Sequence, residues 1–221
     1  GACGHEFGCN VFLGNSVGTD ATVLVDGDGS LLSTIDTLFV ADGNTDFGTL
    51  GADIIASVDL SSGGTIASER VVISGGLSGS NIQVGQLTDA TVTVSGAKSR
   101  WTATTFTVAE GLNAFATVNV TTGGALIGTD SFMAARDATA VADISVDGVG
   151  SIIDVGTDML LGLSGTATLT ASNKGTVTVG RLLAIGLEPT GTGTASFDGV
   201  GTLLTAGDVL VGNFGDGSEL T

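Results

Sequence analysis

Apolar and polar residues alternate over short runs, and each run stops at a turn rich in Gly. The runs at 21–25, 91–94, 117–120, 143–146, 167–171 and 194–197 show it best. One side of them reads Val23 and Val25, Val92 and Val94, Val118 and Val120, Ile144 and Val146, Leu169 and Ala171, Ala195 and Phe197. The other side carries Thr, Asp, Asn or Ser, with Leu24 as the exception. A period of two with one apolar side predicts half-buried strands. A second short apolar run follows each turn (31–32, 66–67, 126–127, 152–153, 177–179, 203–204). A third follows at 38–40, 71–73, 106–108, 132–134, 159–161, 182–184 and 209–211.

The order of runs repeats with the turn. VDGDGS (25–30) returns as VDGVGS (146–151) and FDGVGT (197–202), with weaker copies LSSGGT (60–65), VSGAKS (94–99), VTTGGA (120–125) and ASNKGT (171–176). The later copies are 25 or 26 residues apart and the first two gaps are about 35. A fixed period in this range means one supersecondary unit stacked on copies of itself. Three short strands per period, in constant order and without hairpin turns, predict an all-β parallel β-helix of about seven coils. Right-handedness follows from the general preference of parallel crossovers. Residues 1–221 are read as a single β-helix domain, with loop insertions or extra strands near 42–53 and 75–89. Seven coils at the strand spacing of about 4.8 Å make a rod roughly 34 Å long.

The third run is apolar on both sides. Its alternate positions read Phe39, Val72, Thr107, Met133, Leu160, Leu183 and Leu210, and Phe12 extends the series. A file of large apolar residues on an outer face exceeds what monomers usually expose, so Phe12, Phe39, Val72, Met133, Leu160, Leu183 and Leu210 are candidates for a self-association stripe.

Composition narrows the partners. The net charge is −17, from 23 acids and six Lys and Arg. Such a surface repels phosphate backbones and anionic lipid, so neither nucleic acid nor a membrane surface is an expected partner. The 42% hydrophobic content argues against disorder, and the 37 Gly suit many tight turns. No apolar run is long enough to span a bilayer, and no initiator Met or signal peptide is present, so the chain reads as mature, excised or truncated. Cys3 and Cys9 are spaced to close a small disulfide loop, which suggests an oxidising compartment. A metal site with His5 and Glu6 between the thiols, or a lipid on Cys3, are the other readings.

The candidates for chemistry are few. Asp42-Gly-Asn-Thr-Asp46 resembles half of a calcium loop, with Asp42, Asn44 and Asp46 as ligands, but the distal Glu of an EF-hand is missing; no other cofactor is implied. The Asp, Ser and Thr preceding the turns (Asp26, Ser61, Ser95, Thr121, Asp147, Ser172, Asp198) fix a bend, and as a carboxylate ladder for cations they are broken by Ser and Thr. Catalysis on a β-helix needs convergent acids or a base beside basic residues; here there is one His, no Tyr, and scattered Arg and Lys. No enzyme is therefore expected. A flat Thr array that orders water is poorly matched, because only Thr91/Thr93 and Thr168/Thr170 are T-x-T and Asp59 and Asp143 interrupt it.

The segments 146–171 (VDGVGSIIDVGTDMLLGLSGTATLTA) and 197–221 (FDGVGTLLTAGDVLVGNFGDGSELT) resemble the β-strand repeat of autotransporter passengers and PEP-CTERM-associated surface proteins. Shared are the V-D-G-x-G-S turn, L-x-V-G-N-x-G and a T-L-T-like strand. The match is tight in coils five to seven and at 11–30, and loose between 45 and 115. Of the family's aromatic after the turn, only Trp101 remains, marking a divergent member. The resemblance implies a secreted bacterial β-solenoid at the cell surface and no catalytic residues. The expected role is an extracellular structural solenoid, a self-associating fibre or matrix component; the alternative is an adhesin that binds a glycan or partner protein through its loops.

Both ends are in phase with the repeat. The chain opens before a third run (11–13) and closes partway into a first run (218–221), and no capping segment is evident. Residues 1–10 are about the length of the missing turn and second run. Head-to-tail stacking of copies into a filament is one expectation, excision from a longer repeat the other.

Overall fold

In the computed structural model, residues 11–14, 18–44, 54–78, 88–213 and 217–221 are described. The strands, in chain order, are β1 (Val11–Leu13), β2 (Asp20–Asp26), β3 (Leu31–Ser33), β4 (Thr37–Asn44), β5 (Ile54–Ser61) and β6 (Thr65–Ser78). Then come β7 (Thr88–Ser95), β8 (Arg100–Val108), β9 (Ala114–Thr121), β10 (Ala125–Ala134), β11 (Val141–Asp147) and β12 (Ile152–Val155). The last are β13 (Met159–Leu161), β14 (Thr166–Ser172), β15 (Thr176–Ile185), β16 (Thr192–Phe197), β17 (Leu203–Val211) and β18 (Glu219–Leu220). No helix occurs among the described residues, and none is long and apolar enough to cross a membrane.

Every strand pairs in parallel with its counterpart one coil away, so the chain is a parallel β-solenoid. The first runs build an eight-stranded sheet in the order β18-β16-β14-β11-β9-β7-β5-β2. The second and third runs build a ten-stranded sheet. There they are either fused into one strand, as in β8, β10, β15 and β17, or split, as in β3/β4 and β12/β13. The core lies between the two sheets.

Columns of like side chains fill it. One runs Val23, Val58, Val92, Val118, Ile144, Leu169, Ala195; the next runs Val25, Leu60, Val94, Val120, Val146, Ala171, Phe197. The expected interior ladder of Val25, Val94, Val120, Val146 and Phe197 is thus present, with Leu60 and Ala171 completing it. Beside them runs a file of Ala: Ala21, Ala56, Ala90, Ala116, Ala142, Ala167, replaced by Gly193 in the last coil. Small residues here leave room for the large ones of the opposite sheet, where Trp101, Phe106 and Phe132 are fully buried. Trp101 meets Phe106 edge-on at 5.9 Å, and its indole N–H reaches Ser68 Oγ at 3.4 Å.

The ten-stranded sheet is less regular. Its registers shift between Val40 and Asp42, between Gly128 and Ser131, and between Val179 and Leu182. Each shift is an irregularity of the bulge kind, which can re-aim the side chains that follow. The first of the longer gaps holds an extra strand pair, Asp42–Asn44 against Gly76–Ser78.

The turns leaving the eight-stranded sheet take two forms, and the forms alternate. In the Gly-first turn (26–30, 95–99, 147–151, 198–202), the second residue is Gly27, Gly96, Gly148 or Gly199, at φ between 88° and 94°. In the Gly-last turn (61–65, 121–125, 172–176), that place is taken by Ser62, Thr122 or Asn173 at φ of 49–52°, and Gly64, Gly124 or Gly175 comes two residues later. The two forms interlock. The Gly-first N–H donates to the next coil's strand-end carbonyl: Gly27 to Ser61, Gly96 to Thr121, Gly148 to Ser172, at 3.2–3.3 Å. In return, the Gly-last backbone donates to the last hydroxyl of the following Gly-first turn: Gly63 to Ser99, Gly123 to Ser151, Lys174 to Thr202, at 3.0–3.1 Å. Gly175 has no room for a Cβ, which would fall far inside contact distance of the Val146 carbonyl oxygen.

Candidate functional site: outer faces and rims of the solenoid

The outer face of the eight-stranded sheet is a polar lattice. Its two central columns run Thr22, Ser57, Thr91, Thr117, Asp143, Thr168, Thr194 and Leu24, Asp59, Thr93, Asn119, Ser145, Thr170, Ser196. Neighbours satisfy one another, as in Thr22 with Ser57 at 3.0 Å and Ser145 to Asn119 at 2.7 Å. A shallow open depression lies over Thr117, Asn119, Asp143, Ser145, Thr168 and Thr170.

The residues before the turns also form one column, from Asp26 and Ser61 to Asp147, Ser172 and Asp198. Its carboxylates serve the turns. Asp26 Oδ1 accepts from Ser61 Oγ at 2.7 Å; Asp147 Oδ1 accepts from Ser172 Oγ at 2.6 Å and Asn173 Nδ2 at 2.7 Å. These hydroxyl and amide donors hold both carboxyls below the usual aspartate range, with Ser61 and then Ser62 acting on Asp26, and Ser172 and then Asn173 on Asp147. No group of three potential metal ligands occurs among the described residues. Of the candidate calcium ligands, Asp46 lies outside the described residues, and Asp42 and Asn44 contribute backbone to β4. Cys3 and Cys9, with His5 and Glu6, also lie outside them, and no disulfide occurs among the described residues.

Four of the six basic residues are tied up in ion pairs. Glu110 is shared by Arg70 at 2.8 Å and Arg136 at 2.7 Å, Lys98 meets Asp28 at 3.0 Å, and Arg181 clamps Asp158 through two nitrogens. That carboxylate holds the Arg181 guanidinium still more firmly protonated. Arg100 turns back onto Thr102 at 3.1 Å. The Arg70, Arg136 and Arg181 pairs join neighbouring coils, Lys98 reaches over two coils to Asp28, and Arg100 stays within β8.

The register redraws the apolar file on the outer side of the ten-stranded sheet. The register places Phe12, Phe39, Val72, Thr107, Met133, Leu160, Ala184 and Leu210 in one column. Leu183 is not part of it. It pairs with Met159 and Val209, points inward and is fully buried. The physical reason is that Val179 to Leu183 spans four residues, as Val155 to Met159 does in the coil before, so Leu183 keeps the inward phase of Val177 and Val179; the shorter step that shifts the register lies in β17, from Ala206 to Val209. The stripe is also not continuous at the surface. Val72, Thr107 and Ala184 are buried, and Thr107 Oγ1 has no hydrogen-bond partner. What is left is Phe12 stacked on Phe39 at 4.7 Å near one rim, and half-buried Met133, Leu160 and Leu210 further along.

Exposed apolar surface concentrates instead at the rims. At the β1–β3 rim Phe12, Leu24, Leu31 and Ile35 are exposed; at the β17–β18 rim Val200, Leu203, Val209, Val211 and Leu220 are. Between them, among the described residues, only Ile55, Leu112, Phe115 and Val149 compare. Val209 and Val211 occupy inward columns that are fully buried at Leu38, Val71, Phe106 and Ile185, yet they are 46% and 40% exposed. Val11 and Leu13, in the same columns at the other rim, are only partly buried. Sequence reasoning missed these four, because inward phase was equated with burial. Comparison with protein-family models, with curated proteins and with solved structures finds no match.

Proposed function

We propose that this chain is a structural β-solenoid that works outside the cell, at a bacterial surface or in its matrix, and builds fibres by self-association. The observation that carries this reading is the uninterrupted coil-on-coil parallel stacking of like side-chain columns through both sheets. Basic residues engaged in ion pairs, and acids serving the turns, support a structural rather than a catalytic role. The resemblance of 146–171 and 197–221 to surface-displayed repeats supports the location, and the −17 charge would keep fibres apart laterally. With Leu183 inward and Val72 covered, the surface that the stripe offers for self-association is Phe12, Phe39, Met133, Leu160 and Leu210.

Sedimentation velocity across a concentration series, with microscopy of the same samples, tests the reading. The expected result is growing mass with rods of constant width. A chain that stays monomeric at millimolar concentration overturns it.

A further inference from the structure

We propose that Asp28–Gly29 is a site of spontaneous main-chain modification, at which the aspartate converts to isoaspartate through a succinimide. The like pairs Asp26–Gly27 and Asp147–Gly148 are held unreactive by the turns they sit in.

The chemistry belongs to the dipeptide. The Gly29 nitrogen attacks Cγ of the Asp28 carboxyl. An N–Cγ bond forms, the amide proton is lost, and the carboxyl hydroxyl leaves as water, closing a five-membered ring. Water then adds to one of the two ring carbonyls. Opening on one side restores aspartate, and opening on the other leaves the main chain running through Cγ. One water leaves and one returns, so no other reactant is needed. Glycine after the aspartate favours the step, because no Cβ hinders the nitrogen.

The sequence contains six Asp-Gly pairs. Asp42 and Asp216 have side chains outside the described ones, and Asp198–Gly199 lies in the last described turn, so the comparison rests on the other three. Two of these are locked. In Asp26–Gly27 the carboxylate accepts from Ser61 Oγ at 2.7 Å, and the Gly27 N–H donates to the Ser61 carbonyl at 3.3 Å. In Asp147–Gly148 the carboxylate accepts from Ser172 Oγ at 2.6 Å and Asn173 Nδ2 at 2.7 Å, and the Gly148 N–H donates to the Ser172 carbonyl at 3.3 Å. Ring closure must break the first kind of bond to turn the carboxyl, and the second to free the nitrogen. The same donors hold both carboxyls below the usual aspartate range and so keep them charged, and a carboxylate has no hydroxyl to lose.

Asp28–Gly29 has neither restraint. The Gly29 N–H makes no hydrogen bond among the described residues. The Asp28 carboxylate meets Lys98 at 3.0 Å, but both side chains are largely exposed, and a solvated ion pair holds its partners weakly. A Cβ at Gly29 would meet nothing within 4 Å, so the ring has room. This openness belongs to the turn form and not to its place in the chain. In the interior Gly-first turn, Val149 stands where Asp28 does and is 71% exposed, and the Gly150 N–H is likewise without a bond among the described residues. The other Gly-first turns carry Ala97, Val149 or Val200 at that place, so only the first combines the open position with a carboxyl. The product is not neutral for the fold. Isomerisation adds a methylene to the main chain above Gly63, where a Cβ would already lie 3.3 Å from Asp28 Cα.

Ageing the folded protein at neutral pH in water labelled with heavy oxygen tests the assignment. Each ring that opens takes up one labelled oxygen, and electron-transfer fragmentation of the digested chain separates isoaspartate from aspartate at each pair. A second sample is aged in denaturant. In denaturant the three pairs are expected to convert at similar rates. In the folded protein Asp28 is expected to keep that rate, while Asp26 and Asp147 convert about tenfold more slowly, the factor that one hydrogen bond to a charged group is worth. Ser61→Ala is expected to raise conversion at Asp26 and leave Asp147 slow, which also shows that the variant is folded. Ser172→Ala is the reciprocal variant, raising Asp147 and leaving Asp26 slow. Equal conversion at the three pairs in the folded protein, or an Asp28 no faster than Asp26 and Asp147, overturns the assignment. No rise from either serine variant overturns the account of the locked pairs.

Discussion

The two sheets of this solenoid are made by the same chain and close the same core, yet they follow different rules. In the eight-stranded sheet the strands pair coil on coil without a register shift, the inner columns are Ala and Val almost throughout, and the outer columns are polar. In the ten-stranded sheet three pairings shift register, two strands are split, and apolar side chains occupy both faces. The difference teaches where a repeat protein stores its length variation. One sheet keeps the ladder, and the other absorbs inserted residues as irregularities of the bulge kind, which can turn the following side chains over.

The sharpest way to break this comparison is at the shifted register of β15. Leu183→Ser removes a fully buried side chain and puts a hydroxyl in the core, and is expected to destabilise by about 4 kcal/mol in a denaturant titration. Leu182→Ser, one residue before and half-buried, is expected to cost about 1 kcal/mol. The reverse order would mean that Leu182 and not Leu183 faces the core, and that the register given for β15 is wrong.

The turns that join the sheets allow a second test. Gly175→Ala drives a Cβ against the Val146 carbonyl, where backbone cannot yield, and is expected to cost about 3 kcal/mol. Gly150→Ala, at φ 82° but with nothing nearer than Gly123 Cα at 3.5 Å, meets only the left-handed penalty of about 1 kcal/mol. Equal costs, read as midpoint shifts at constant slope, would remove the distinction between the two turn forms.

The smallest expected effect is on acid sensitivity. Asp147 has its folded pKa held below the ordinary 3.8 by Ser172 and Asn173. Its contribution is therefore complete above that value and declines as pH falls through it towards the folded pKa, because the unfolded chain takes the proton first. A stability profile of Asp147→Asn between neutral pH and pH 2 should flatten by this one group relative to the parent. An unchanged profile would show that the turn bonds do not favour the charged carboxylate.

How far these features were legible in the sequence follows the same division. Val23, Val92, Val118 and Ile144 declared the inner face of the regular sheet, since strict alternation has only one buried phase. The run Arg181-Leu182-Leu183-Ala184-Ile185 has no alternation of its own, so its phase follows only from the four-residue step between Val179 and Leu183 that repeats the coil before, and Leu183 was read one position out. The alternation of turns was written in the Gly spacing, GDGS, GAKS, GVGS and GVGT against SGGT, TGGA and NKGT, but its meaning depends on the carbonyl lying under Gly64, Gly124 or Gly175. The rims were the least legible part, because the exposure of Val209 or Val211 depends on what is stacked beyond them rather than on the residues themselves.

The pairing of unlike turns also constrains how such a gene can grow or shrink. From Ser99 to Ser151 is 52 residues and from Ser151 to Thr202 is 51, each a whole pair of coils. A recombination event that gained or lost one coil would set like against like. Two Gly-last turns in succession would set a Gly N–H such as that of Gly63 or Gly123 against the last residue of the other turn form, which at Ala125 has no hydroxyl to offer. An exchange of about 51 residues, or twice that, passes unnoticed by the turns. Lineages of this solenoid are therefore expected to differ in length by pairs of coils, with single-coil steps selected against by the turns alone.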